Sequence, residues 1–224
     1  MNPDAALCQS TDRRRPAGKT EGMDESSRLL PLARDSVPEF EPIFAKYEDN
    51  TGTLPNNILV MARSEAVLRA RAAMFEAFRE AKVDRQIRDL VFLMASLVTG
   101  CRYCQAHRST ALERRGADVE KIDAVWEFET SPLFGEKERA AIRFARDSAI
   151  VPNAVTDEHF VELRRHFTEE EIVELMAQSC QAAWSNRWND TMGTPLEPDP
   201  LATMARLAPG WDPGKHSVDT QPES

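Results

Sequence analysis

The sequence predicts an all-α fold. Apolar residues recur at helical spacing almost throughout residues 40–191, no stretch alternates apolar and polar residues between turn signals, and helix-cap residues punctuate the stripes. Phe40, Ile43, Phe44 and Tyr47 form the first stripe, with Pro38 and Pro42 near its start, where a missing N–H costs little. Pro55 opens a short helix through Ile58, Leu59 and Met61. Ser64 stands as the cap of the next, which is expected to run to Ala81 with Val67, Leu68, Met74, Phe75 and Phe78 as its apolar set. Asp84 starts a helix carrying Ile87, Leu90, Val91, Met94, Leu97 and Val98 on one face. Phe92 and Leu93 fall on the other side, so this helix is expected to be buried all round. A polar-faced helix follows and ends at Gly116. Further helices are expected over 119–128, 136–150 and 156–167. The last long one opens with a capping box, Thr168-Glu169-Glu170-Glu171, and reaches about Thr191.

The ends read differently. Residues 1–27 are polar, lack periodicity and are expected to be a disordered extension carrying Cys8, and Met23 is a candidate start. A helical domain is expected over 28–198. Residues 199–224 carry several prolines and are expected to be largely disordered after a short helix over Leu201 to Leu207.

A chain of 224 residues is long enough to bury a real core. Its 28 basic and 37 acidic residues give a formal charge of −9, which argues against a nucleic-acid partner, since phosphate binding needs a basic stripe. No apolar run reaches membrane-spanning length, and no secretory leader is visible. Four unevenly placed cysteines do not make a disulfide framework, so a cytoplasmic protein is expected.

Chemistry concentrates in Gly100-Cys101-Arg102-Tyr103-Cys104-Gln105-Ala106-His107. The Cys-x-x-Cys pair opens a helix, where free backbone N–H groups and the helix dipole favour thiolate over thiol. A thiolate one turn from a second thiol can attack a substrate and then be resolved to a disulfide. An inert buried pair is the plain alternative. Structural zinc wants four ligands, and no second Cys/His pair follows at finger-like spacing. Neither metal nor cofactor is expected. By helix-terminus physics alone, Cys101 is the more acidic thiol. His107 falls one turn after Cys104, placed to take its proton. Asp89, an acid in an otherwise apolar segment, is a candidate to orient or recharge that histidine, unless it sits at a solvated edge paired with Arg85 or Arg88. Trp184, Trp188 and Cys180 share one face of the last long helix, a pattern of core or subunit interface more than of a substrate box. Asn186, Arg187 and Asn189 are further pocket candidates.

An acid, eleven residues, Cys-x-x-Cys and a close histidine together resemble the carboxymuconolactone decarboxylase superfamily, specifically its AhpD-like alkylhydroperoxidase branch. Arg88-Asp89-Leu90-Val91, Trp126 to Phe134 and Asn186 to Thr191 are similar to the same group, so the resemblance covers residues 36–198. It implies an AhpD-like helical bundle, homo-oligomers, and peroxide reduction by Cys104, with Cys101 closing the disulfide and passing electrons to a thiol or dithiol reductant. The chain departs from the pattern twice. The family acid is usually Glu, here Asp89, and the relay histidine usually lies four residues after the second cysteine, where this chain has Arg108 and His107 comes one residue early. Two other functions compete: a decarboxylase-like enzyme acting on a small lactone or keto acid, which needs no cysteine pair, and a non-enzymatic redox-sensing subunit.

Overall fold

The computed structural model describes residues 28–217, in which ten α-helices are joined by loops and short 3-10 turns. The expectations for residues 1–27, Cys8 and Met23 among them, and for 218–224 lie outside the described residues. The helices are α1 Glu41–Thr51, α2 Asn56–Met61, α3 Glu65–Ala77, α4 Arg85–Thr99, α5 Arg102–Arg114, α6 Val119–Asp123, α7 Glu136–Ala149, α8 Asp157–His166, α9 Glu169–Met192 and α10 Pro198–Leu207. No strand occurs among the described residues.

The organising element is α4. Asp84 caps it, accepting from the backbone N–H of Gln86 at 2.8 Å and of Ile87 at 3.2 Å, which satisfies two donors the first turn leaves free. Its apolar surface is nearly continuous, and it packs on α5, α7 and α9. Leu90, Val91, Leu93 and Met94 meet Ile142 and Phe144 of α7, Leu163 of α8 and Leu175 of α9 in the main core. A second cluster gathers Phe92, Ala95, Tyr103, Ala182, Leu196 and Met204 around both cysteines. The third, from α1 to α3, packs Phe44, Tyr47, Ile58, Met61 and Leu68. The capping box of α9 forms as the sequence predicts: Glu171 N–H donates to Thr168 Oγ1 at 3.2 Å, and Thr168 N–H to Glu171 Oε2 at 2.8 Å.

The structure differs from four expectations. Ser64 stands at the N-cap of α3, but its side chain makes no cap hydrogen bond. α3 stops at Ala77, short of Ala81, because tertiary partners take the next backbone groups. The Arg88 side chain donates to Phe78 O and, at 3.0 Å, to Val83 O, while Glu174 accepts from the Lys82 and Val83 amides at 3.0 and 2.9 Å. The helix expected over 119–128 is α6 followed by a 3-10 turn over 124–127. The tail is ordered as far as it is described. His216 is fully buried, its backbone O accepts from Leu196 N–H at 2.9 Å, and its Nδ1 lies 2.8 Å from Thr194 O. Burial pushes the His216 imidazole below its usual value, so at neutral pH it stays uncharged and Nδ1–H is the donor. Trp211 Nε1 donates to Gln105 Oε1 at 3.4 Å, and Arg102 donates to Asp212 O at 2.8 Å. A few such contacts fix a proline-rich segment that shows no periodicity.

Candidate active site

The cysteine turn is set by Gly100. It ends α4 at φ +73°, a left-handed conformation that side chains other than glycine's disfavour, and Gly100 N–H and Cys101 N–H return to Leu97 O and Ser96 O at 3.2 and 3.1 Å. Cys101 is then the N-cap of α5, and its sulfur accepts from Cys104 N–H at 3.4 Å. Both cysteines are free thiols, and both are buried.

Their surroundings separate them. A cavity of about 80 Å³ is lined by Cys104 and not by Cys101. His107, Arg108 and Asn189 line the same cavity. Asn189 Nδ2, from α9, donates to Cys104 Sγ at 3.3 Å. Cys101 is pushed well above the usual thiol range, first by its sulfur's hydrogen bond with Cys104 and then by burial. The Cys104 amide acts the other way and is outweighed. The helix terminus does not make Cys101 acidic, because its sulfur is enclosed and faces a second sulfur.

His107 is tied to an acid the sequence did not single out. Its Nε2 lies 2.7 Å from Glu197 Oε2, and Tyr103 Oη donates to Glu197 Oε1 at 2.8 Å. The Asn56 backbone N–H also donates to Glu197 Oε1. Burial works to raise the Glu197 carboxyl, but the His107 ring and the hydrogen bonds from His107 and the Asn56 and Glu197 backbone outweigh it and hold the group below the usual carboxylate range. Tyr103 is raised well above the usual phenol value, first by burial and then by the Glu197 charge, so it remains a neutral donor. The tyrosine and histidine rings lie 4.4 Å apart.

Asp89 is buried, not at a solvated edge, and its partners are neither Arg85 nor Arg88. Arg108 Nη1 donates to its Oδ1 at 3.0 Å, and Arg115 Nη1 donates to its Oδ2. The structure therefore brings Glu197, not Asp89, to His107, while Asp89 anchors Arg108 at the cavity wall with the guanidinium 4.0 Å from the Phe92 ring centre. Of the other candidates, Asn189 reaches the site, Asn186 accepts from Ser96 Oγ at 2.9 Å, and Arg187 is exposed. Trp184 and Trp188 stack at 5.3 Å, with Trp184 facing a wide apolar groove between α3 and α9.

Glu197, which meets His107, and Arg71, which lines the cavity, escaped sequence reasoning. Glu197 had no readable signal, standing between two prolines some 90 positions from its histidine. Arg71 had one: it lies three residues after Leu68 and four before Phe75, on the apolar stripe of α3. Among the described residues no group of three or more His, Cys, Asp or Glu is placed to hold a metal ion, and no helix is long and apolar enough to cross a membrane.

Comparison with known proteins agrees with this architecture. Residues 65–147 match the model of the carboxymuconolactone decarboxylase family. The crystal structure of a variant of the debrominase Bmp8 in complex with 2,3,4-tribromopyrrole is similar to this chain at 32% identity and a TM-score of 0.76, over 81% of this chain and 97% of Bmp8. The uncharacterized protein YnjA of Escherichia coli (strain K12) is 29% identical over 128 residues, 56% of this chain and 70% of YnjA. An uncharacterized peroxidase-related protein with an alkylhydroperoxidase AhpD core, from Ralstonia eutropha JMP134, shares the fold at 21% identity and a TM-score of 0.70, over 80% of this chain and 96% of that one. By these matches the chain belongs to the carboxymuconolactone decarboxylase superfamily, and it shares the helical fold of AhpD-core proteins.

Proposed function

We propose that the protein is a thiol-dependent peroxidase that cycles between a Cys101/Cys104 dithiol and a disulfide. The observation that carries this reading is the asymmetry of the pair. Cys104 faces the cavity with Asn189 on its sulfur, while Cys101 sits behind it, enclosed and protonated. His107 takes the Cys104 proton, and the neighbouring Glu197 carboxylate stabilises the imidazolium that forms. The Cys104 thiolate attacks the terminal peroxide oxygen, the O–O bond breaks, and His107 returns the proton to the leaving alkoxide. The products are an alcohol and a sulfenic acid on Cys104. Cys101 then attacks the Cys104 sulfur, water leaves, and an external thiol or dithiol reduces the disulfide. Asp89 acts as a positioning residue through Arg108, and the working unit is a homo-oligomer.

A second reading keeps the same thiol cycle with a halogenated ring as substrate, and the 32% identity to Bmp8 favours it. Replacing C–Br by C–H consumes two electrons; two thiols supply them, giving the disulfide, bromide and a proton. Size favours the peroxide. The cavity of about 80 Å³ is smaller than the cavity of about 150 Å³ that takes benzene.

One equivalent of peroxide followed by mass spectrometry tests the assignment. Cys101→Ser is expected to stop as a sulfenic acid on Cys104, Cys104→Ser to react little, and His107→Ala to slow the first step by about 10²-fold without blocking disulfide closure. Sulfenic acid on Cys101 while Cys104 is intact would reverse the roles. Bromide release from a bromopyrrole with no peroxide turnover would establish the second reading instead.

A further inference from the structure

The cavity beside Cys104 has a wall the thiol cycle does not use. Arg71 of α3 is only 7% exposed, yet its Nε and Nη1 are buried without a hydrogen-bond partner among the described residues. Tyr47 Oη and Ser185 Oγ are likewise buried and unpartnered, and all three residues line the cavity that Cys104 lines. Among the described residues no carboxylate pairs with Arg71, whose guanidinium carbon lies 5.8 Å from the Trp184 ring centre; the acid lining this cavity, Asp199, is held by Arg114 at 2.7 Å. Asn57 Oδ1 is an unpaired acceptor at the same cavity, and turning its amide would present a donor instead. A buried guanidinium without a counter-charge is among the costliest features a core can carry. Three buried donors lining one cavity, one of them cationic, match a small acceptor-rich anion, and a guanidinium fork matches the two oxygens of a carboxylate.

We propose that Arg71, Tyr47 and Ser185 form a carboxylate-binding subsite beside Cys104, so that the substrate is a small electrophile bearing a carboxylate. In the peroxidase reading this is a hydroperoxide carrying an acid group. The proposal rests on Cys104 as the nucleophile and deepens that reading by naming a substrate class. Arg71 holds the carboxylate while the electrophilic atom, a few bonds away, meets the sulfur. The limited volume of the cavity suits a ligand of a few heavy atoms.

Iodoacetate and iodoacetamide test this without any turnover, because they differ chiefly in charge. Their rates of alkylation at Cys104, resolved by peptide mass spectrometry, are compared with those of free cysteine in the same buffer. The iodoacetate-to-iodoacetamide ratio at Cys104 is expected to exceed that of free cysteine by on the order of 10- to 100-fold. Arg71→Gln should bring it back to the free-cysteine value, and Arg71→Lys should retain part of the gain. A wild-type ratio no higher than that of free cysteine overturns the proposal. So does an Arg71→Gln variant that slows both reagents equally, since Arg71 would then be a counter-charge for the thiolate. If the variants fail to fold, the wild-type ratio decides, together with protection of Cys104 from iodoacetamide by acetate but not by chloride. If Cys104 reacts with neither reagent, the nucleophile reading fails. Broadening of the acetate NMR signal by the protein then still decides the subsite, and its absence overturns it.

Discussion

Glu197 shows how one side chain connects stability to the chemistry of the site. It accepts from Tyr103, lies against His107 and is almost wholly enclosed, so removing its charge replaces charge-assisted hydrogen bonds by weaker neutral ones. Its carboxyl is held below the ordinary value of 4.5, so the folded state binds its proton less readily than the unfolded chain. The stability it contributes is fully present above pH 4.5 and is lost as pH falls through the lower folded-state value. Glu197→Gln is therefore expected to cost about 1–3 kcal/mol at pH 7 and to flatten the acid limb of the stability profile, as read from urea midpoints across pH. An unchanged acid limb would mean that the carboxylate is not the group titrating there. Arg71 makes the complementary point. Its position on an apolar helical stripe is legible in the sequence, but that its Nε and Nη1 are buried without a hydrogen-bond partner among the described residues is visible only in the structure.

Among the elements, the α4–α5 junction decides where the sulfurs lie. Gly100 turns the chain at positive φ, Cys101 caps the new helix, and Cys104 follows one turn later facing the cavity. A Cβ at Gly100 would meet nothing within 4 Å, so a substitution there is opposed by backbone conformation alone. Gly100→Ala is expected to destabilise the protein by about 1–2 kcal/mol and to slow closure of the Cys101/Cys104 disulfide, measured by urea titration and by quenched alkylation. Full stability in that variant would show that the turn relaxes. The starts of α4 and α9 were readable because Asp84 and Thr168 act on amides two or three residues away. The end of α3 was not, because Arg88 and Glu174 reach it from other helices.

At the scale of the whole molecule, the groove between α3 and α9 remains open to solvent. Val67, Met74, Phe78, Ala177 and Trp184 line it with a volume of about 1,000 Å³, and Val173 and Trp184 are 68% and 37% exposed at its edge. Apolar surface of this kind on a helical domain fits a subunit interface, and we propose that a second copy covers it. Sedimentation is expected to show an oligomer, and Val173→Lys combined with Trp184→Lys to shift it to a smaller species. A wild-type monomer at micromolar concentration would exclude the interface.

Periodicity, caps and the Cys-x-x-Cys turn by themselves determined the all-α class, the order of the helices and the place of both thiols, because each of these follows from residues within a turn or two of one another. The Asp84 cap and the Cys101/Cys104 pair are local in this sense. Tertiary structure alone decided that Glu197 rather than Asp89 meets His107, that Asp89 holds Arg108 and Arg115, and that His216 pins the tail. Burial and long-range pairing set those partners, and they arise only when segments some 20 to 90 residues apart are packed together.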